Sequence, residues 1–370
     1  MPCPPRRASR AGVRVGLVCP YSLSIPGGVQ GQVMGLAKAL RQAGVEARVL
    51  APCDGPPPDP CVTPLGASVP MAANGSVAPI APDPAATLRT IRALRDERFD
   101  VVHIHEPLVP GPSLTALLFS DGPLIGTFHR SGPIAWYRYL RGLARWASRR
   151  LVVRCAVSEL ARATAKEAIG GDYELVWNGV DMDLISAAPP WPRSGPTVLF
   201  VGRHEARKGL DVLVEAVVRH GVDARLWVAG EGPQTRALRE RTLGDARFEW
   251  LGVITEEEKL SRLRGADVLV APSLHGESFG VVLLEGMAAG AAVVASNLPG
   301  YANVARPGVD ALLVPPGDAA RLAAALRQAL AGGERVEAMR ASAYERAAEL
   351  SLDALARRYL ESYDRALAGG

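Results

Sequence analysis

Lysine is scarce in this chain of 370 residues: of its 42 basic residues only Lys38, Lys166, Lys208 and Lys259 are lysines, leaving 38 arginines. A lysine kept in a loop against that background is a candidate for specific work. Cysteine is also sparse and unpaired in pattern. Cys3, Cys19, Cys53, Cys61 and Cys155 are odd in number and form no C-x-x-C, which fits reduced thiols better than a disulfide framework. No charge sign dominates, because 42 basic residues face 38 acidic ones and the net charge is +4. Bulk charge therefore gives no case for nucleic acid as a partner. No apolar run approaches the ~18 residues of a membrane span. The longest candidate, VVLLEGMAAGAAVVA, is interrupted by Glu285. At the start, VRVGLVCPY (13–21) is too short and strand-like for a signal peptide's apolar region, so a cytoplasmic location is expected.

What remains is the composition of a packed protein, 48% hydrophobic and 22% charged. The length implies two or three domains at ~150 residues each. Two halves repeat one pattern. VRVGLVCPY, the loop IPGG (25–28), a helical stretch at 29–44 and VEARVLAP (45–52) form the first. TVLFVG (197–202), the loop RHEARKG, a helical stretch LDVLVEAVVRHG and ARLWVAG (224–230) form the second. Continuous apolar runs separated by helical patterns indicate buried parallel strands in βαβ units. The expected class is α/β with two doubly wound domains: 12–188, then 196–350, with 351–370 as a last helix returning toward the first. SAAPPWPRSGP (186–196) reads as the linker, and the proline- and glycine-rich stretch 52–84 as a long irregular connection.

Ligands of open α/β sheets sit beyond the carboxyl ends of the strands. GRHEARKG (202–209) lies there, between a strand and a helix. Its backbone N–H groups, Arg203 and Lys208 suit a diphosphate; a solvated basic loop is the plainer alternative. HGESFG (275–280) follows the strand ADVLVAPS. Glu277 can accept from sugar hydroxyls, and Glu285, eight positions on, is expected on the same face; two acids near a helix start could instead answer its dipole.

Together these loops resemble the retaining glycosyltransferases of family 4. Glu277-x7-Glu285 matches that family's acid pair and GRHEARKG its donor-phosphate loop, while AVSEL (156–160) and WNGVD (177–181) match its connecting segments. VCPYSLSIPGGVQ, VPMAANGSVA, DVVHIHEP, GTFH, HGESFG and EGMAAG are similar to the actinobacterial members that add mannose to phosphatidylinositol. The resemblance implies the GT-B fold, two facing Rossmann-like domains with a cleft between them. It implies transfer of mannose from GDP-mannose to the inositol of phosphatidylinositol, on the inner face of the plasma membrane. The catalytic set would be His129, Arg203, Lys208 and Glu277. Gly28 would lie near the diphosphate, Ser278, Phe279 and Gly280 would join Glu277 around the donor, and Glu285 would hold the ribose. Tyr21, Gln30, Asn74 and Ser76 would line the inositol site.

Some positions depart from the pattern. Pro79 stands where an arginine is expected, and Arg130-Ser131-Gly132-Pro133 follows the GTFH histidine; Arg130 is the candidate substitute as phosphate partner. The resemblance implies that the segment after FEWLG meets the nucleotide base. Here it is VITEEEK, where Glu256 could accept from guanine N1–H and N2–H while Lys259 donates to O6, which mildly favours GDP over UDP; a solvated helix start is the alternative. Asp181-Met182-Asp183 resembles a metal-holding D-x-D but reads as a turn and helix cap, and His103-Ile104-His105 reads as a histidine pair at a strand end. No resident metal is expected, and Mg2+ only as a companion of the diphosphate. Residues 130–154 hold seven arginines and no acid. On one helical wheel Trp136, Leu140, Leu143, Ala147 and Leu151 oppose Arg138, Arg141, Arg145 and Arg149. That face meets water, or an anionic membrane with Arg89, Arg92, Arg95 and Arg98 adding to it. The rivals are a family 4 enzyme with another nucleotide sugar or a soluble acceptor, a sugar-nucleotide or lipid-binding module, and a dinucleotide oxidoreductase. Against the last, the first turn lacks G-x-G-x-x-G.

Overall fold

The computed structural model describes residues 12–73, 76–132 and 141–369, without the side chains of 72, 73, 76 and 77. It divides into two compact units, residues 1–176 with 352–370, and residues 177–351. In the first, β1 (Arg14–Val18), β2 (Glu46–Ala51), β3 (Val62–Pro64), β6 (Val101–His105), β7 (Leu124–Phe128), β8 (Leu151–Ala156) and β9 (Glu174–Leu175) form one parallel sheet, ordered β3-β2-β1-β6-β7-β8-β9. The strands β4 (Val69–Ala73) and β5 (Ser76–Ile80) make a separate antiparallel hairpin. In the second unit, β10 (Thr197–Val201), β11 (Arg225–Ala229), β12 (Phe248–Gly252), β13 (Val268–Ala271), β14 (Ala292–Ser296) and β15 (Leu312–Val314) are parallel in the order β12-β11-β10-β13-β14-β15.

The apolar runs become strands because both sheet faces are covered. Val15 and Leu17 of β1 enter one core cluster and Val18 the opposite one. Likewise Leu199 of β10 enters one cluster of the second unit while Val198 and Phe200 enter the other. Strand order reverses at β1/β6 and at β10/β13, so each unit has a switch point where the chain leaves neighbouring strands in opposite directions. The loops after β1, β10 and β13 are loops singled out in the sequence.

The helix Leu352–Ala368 belongs to the first unit. Leu352, Leu355, Tyr359, Tyr363 and Ala366 recur at helical spacing and are buried in its core. Leu352 packs so closely on Gly35 of the helix Gly28–Gln42 that a Cβ there would stand 2.5 Å from Leu352 Cδ1.

Three expectations change. The unit boundary falls after Val176 and not within 186–196: the helix Met182–Ala187 packs on the helices Glu256–Gly265 and Val281–Ala288, and Ile185 is buried in the second unit's core. The stretch 52–84 is organised by β3 and the β4–β5 hairpin, where the backbone of β-forming residues finds partners despite the prolines. Residues 130–154 are not one helix. The described part is a helix, Arg141–Ser148, followed by β8; Leu151 lies in the strand, and Leu143 is 59% exposed rather than core. Ala144, Ala147 and Ser148 make the buried face instead. Trp136, Arg138 and Leu140 lie outside the described residues.

Candidate active site

In the second unit, Gly209 turns the loop after β10 into the helix Leu210–His220. Its φ is +65°, and a Cβ would stand 2.0 Å from the Pro272 carbonyl oxygen, so glycine is required there. The same closeness ties this loop to the one after β13, where Leu274 N–H donates to the Arg207 carbonyl at 2.7 Å. A chain of alternating charge results. Arg203 pairs with Glu205 at 3.0 Å, Glu205 with Arg207 at 3.0 Å, and Arg207 with Glu277 at 3.3 Å. Lys208 Nζ closes on Glu277 Oε1 at 2.6 Å. Ser273 Oγ donates to that oxygen at 3.1 Å and itself accepts from the Tyr301 hydroxyl at 2.9 Å. Three cations and two carboxylates leave one positive charge at the switch point, on side chains only partly exposed.

A second cluster lies on neighbouring helices. Lys259 Nζ stands 3.0 Å from Glu285 and 2.8 Å from Glu256. Burial works against the Lys259 ammonium, but the Glu285 and Glu256 carboxylates outweigh it and raise its pKa. The solvated-turn alternative for Lys259 does not hold.

Several expected residues are placed differently. Glu277 and Glu285 do not share a helix face: the helix begins at Val281, and Gly280, with φ +100°, turns the chain before it. Each acid is aimed by its own cation. The Phe279 side chain is 3% exposed and lies in the core beside Trp177, so only its backbone can address a ligand. Asp181 caps the helix Met182–Ala187 by accepting from Leu184 N–H at 2.9 Å. No group of three or more His, Cys, Asp or Glu side chains is arranged to hold a metal ion among the described residues.

In the first unit, Gly28 opens the helix Gly28–Gln42, whose N-terminus receives no side-chain cap, and a Cβ at Gly28 would meet nothing within 4 Å. Uncapped N–H groups beside open space suit an anion. Gln30 is spent locally, its amide donating to the Ile25 carbonyl at 3.1 Å and holding the loop after β1. Tyr21 bridges to Ile80, and Ser22 N–H donates to the Pro79 carbonyl at 2.9 Å, fixing that loop against the hairpin. Asn74 lies outside the described residues, and Ser76 is described by its backbone alone.

His129 follows β7. Its N–H and that of Arg130 both donate to Glu106 Oε1, at 2.6 and 2.8 Å. Glu106 is 2% exposed and has φ +49°, an uncommon conformation for a residue with a side chain. Burial raises its pKa, against the two N–H donors and Arg130. Burial pushes the His129 imidazole down to about 3, and its Nε2 meets His105 Nδ1 at 2.8 Å. Sequence reasoning missed Arg207, Ser273 and Tyr301, and passed over Glu106 and His105 in their roles here. Arg207 and Glu106 stand beside residues it did select, but ordinary propensity carries no sign of a bent pairing or of a positive φ.

Two family models cover most of the chain: the glycosyltransferase family 4 model matches residues 26–184, and the group 1 glycosyl transferase model residues 195–332. The phosphatidyl-myo-inositol mannosyltransferase of Mycobacterium leprae is 42% identical over 85% of this chain and 86% of its own length. Among solved structures, a glycosyltransferase from Rickettsia africae aligns over 97% of this chain and 99% of its own, with a TM-score of 0.74 and 19% identity. Anabaena HepE, solved with UDP and glucose, covers 95% of this chain and 99% of its own, with a TM-score of 0.75 and 16% identity. Both structural likenesses concern the fold, two parallel-sheet Rossmann-like units of the GT-B class.

Proposed function

The chain belongs to the family 4 glycosyltransferases, and from that premise we propose that it transfers mannose from GDP-mannose to the inositol of phosphatidylinositol at a membrane surface. The observation that carries the donor half is the clamp of Glu277 by Lys208, Arg207 and Ser273 at the second unit's switch point. The acceptor and the sugar are supported by the likeness to the Mycobacterium leprae phosphatidyl-myo-inositol mannosyltransferase.

In this reading the bond from the anomeric carbon to the diphosphate breaks as a bond to an inositol oxygen forms on the same face. The inositol proton leaves with the diphosphate. Charge gathering on the departing oxygen meets Arg203 and Lys208, whose geometry is already set by Glu205 and by Glu277, which Arg207 helps to aim. Glu277 accepts from sugar hydroxyls, and His129 orients the transferred sugar. Glu285 takes the ribose. Two of the three Lys259 N–H bonds go to carboxylates; the third matches guanine O6, with Glu256 as acceptor for the ring donors. The cations serve the leaving group, so Mg2+ enters only with the nucleotide.

The membrane contact falls on the helix Arg141–Ser148, where Trp146 (57% exposed) and Leu143 lie beside the exposed Arg145 and Arg149. Apolar and cationic groups on one face suit an anionic lipid interface better than water. No helix among the described residues is long and apolar enough to cross a membrane.

Radiolabelled GDP-mannose, UDP-glucose and UDP-N-acetylglucosamine, offered separately with phosphatidylinositol vesicles, test the reading. Label is expected in lipid from GDP-mannose alone, with and without EDTA. Transfer only from a UDP-sugar would overturn the base assignment, and label only in water-soluble product the lipid acceptor.

A further inference from the structure

The core of the first unit contains a polar cluster that the reaction as read above leaves unexplained. Strand β6 is aliphatic at Val101, Val102 and Ile104, yet places His103 and His105 on one face, 0% and 2% exposed. The register pairs His103 with Ile125 and His105 with Thr127 of β7. Each histidine reaches two residues beyond its register partner. His103 Nε2 meets Thr127 Oγ1 at 2.7 Å, and His105 Nδ1 meets His129 Nε2 at 2.8 Å. The two rings of β6 are stacked, with centroids 4.4 Å apart and 29° between their planes. From the other side the helix Leu352–Ala368 supplies two phenols one turn apart. Tyr363 Oη meets His103 Nδ1 at 2.9 Å, and Tyr359 Oη meets Thr127 Oγ1 at 3.0 Å.

We propose that Tyr359 and Tyr363, through Thr127 and His103, hold the His105 ring, and that His105 fixes the ring plane and the tautomer of His129. The C-terminal helix thereby positions a residue far from it in sequence. The proposal rests on the reading of His129 as the group that orients the sugar.

Burying polar side chains in a core that aliphatic residues could fill is costly unless the groups are paired, and then it confers direction rather than stability. Here hydrogen bonds join the helix to His103 and Thr127, another joins His105 to His129, and the stack of His103 on His105 links the two sets; one atom stands outside both. His105 Nε2 is buried and has no hydrogen-bond partner among the described residues. That orphan selects a tautomer. If His129 Nε2 carried the proton and donated, His105 would bear a buried N–H with no acceptor. If His105 Nδ1–H donates, only a lone pair is left unmatched, which is the more readily tolerated state. The cluster therefore holds His129 protonated at Nδ1. The stack transmits the constraint: His103 covers one face of the His105 ring at 4.4 Å, and His129 meets its edge at Nδ1, with 30° between the two ring planes.

The tests use the full chain. His105→Ala is expected to lower kcat about 10- to 100-fold, as loss of an orienting partner does, with the KM for the nucleotide sugar within about 2-fold. His105→Asn restores a polar atom near the Nδ1 position and should recover most of kcat. Tyr363→Phe removes only a hydroxyl and should lower kcat about 3- to 10-fold in the same sense. Imidazole 15N spectra give the direct readout: His129 as one Nδ1–H tautomer in the parent, and a mixture in His105→Ala and Tyr363→Phe. Should His105→Ala fail to fold, His105→Asn and Tyr363→Phe still decide, since neither opens a large cavity. An unchanged kcat in Tyr363→Phe with an unchanged His129 spectrum overturns the positioning chain, as does an Nε2–H or mixed tautomer in the parent. His129→Ala separates the two readings. If it transfers at the parent rate, the catalytic reading falls while the spectra still report whether His105 sets the tautomer.

Discussion

Glu277 illustrates how one side chain can be useful only through its neighbours. A carboxylate meant to accept from sugar hydroxyls beside a diphosphate would repel that diphosphate if it stood alone. Lys208 at 2.6 Å and Arg207 at 3.3 Å cancel that repulsion and fix the carboxylate's direction. In the proposed reaction Lys208 both holds Glu277 and meets the leaving phosphate. Lys208→Ala is accordingly expected to lower kcat/KM by on the order of 10²- to 10³-fold, comparable to removing a main electrostatic donor. Arg207→Ala should cost less, about 10-fold, because Arg207 acts on the same carboxylate from farther away and is shared with Glu205. Steady-state kinetics with the donor varied give both ratios, and circular dichroism establishes that each variant stays folded. If Arg207→Ala matched Lys208→Ala, the arginine would be a direct phosphate ligand rather than an aimer of Glu277.

At the scale of elements, the helix Arg141–Ser148 has only about two turns, and Ala144, Ala147 and Ser148 make its buried face with small side chains. Its large apolar residues, Leu143 and Trp146, are left outside with Arg145. Trp146→Ser with Leu143→Ser should therefore weaken binding to anionic vesicles by about 10-fold or more, since burying such side chains is worth roughly 1.5–3 kcal/mol each. Arg145→Gln with Arg149→Gln should weaken it too, at about 1 kcal/mol for each charge near the surface, and flatten its salt dependence. Flotation that is undiminished in both pairs would place the lipid contact elsewhere. The helical wheel drawn over 130–154 missed this arrangement because periodicity cannot see that β8 begins at Leu151, nor that alanines can make the buried face. Where an apolar run was continuous and flanked by turn residues, as at 197–201 or 292–296, the strand was plain, because a strand covered on both faces has no other composition available. The acid pair was legible as residue types at a spacing. Its geometry was not, since the turn at Gly280 and the separate cations Lys208 and Lys259 are tertiary facts.

The two units of the molecule should answer differently to acid. The first contains His103, His105 and His129, all buried and all held below the ordinary histidine pKa by burial, His103 and His129 down to about 3. Unfolding restores a pKa near 6.5, so between those values the unfolded chain binds protons that the folded unit does not. Stability from these groups is thus fully present above about pH 6.5 and is lost as pH falls toward 3. From pH 7 to pH 5 the loss is about 2 kcal/mol each for His103 and His129, and His105 adds in the same direction. The second unit carries one shifted histidine, His204, lowered by burial. Its lowered carboxyls, Asp245 and Asp310, lose their contribution only below the ordinary aspartate range. Hydrogen exchange at pH 7 and pH 5, corrected for the intrinsic rate, should show protection falling in β1, β6, β7 and the helix Leu352–Ala368 together, and falling less in β10, β11 and β13, which answer to His204 alone. The C-terminal helix is the diagnostic element, being last in sequence yet part of the first unit's core. If it kept its protection at pH 5 while β6 and β7 lost theirs, the histidines would not be coupled to it, and the polar cluster would be two separate contacts rather than one.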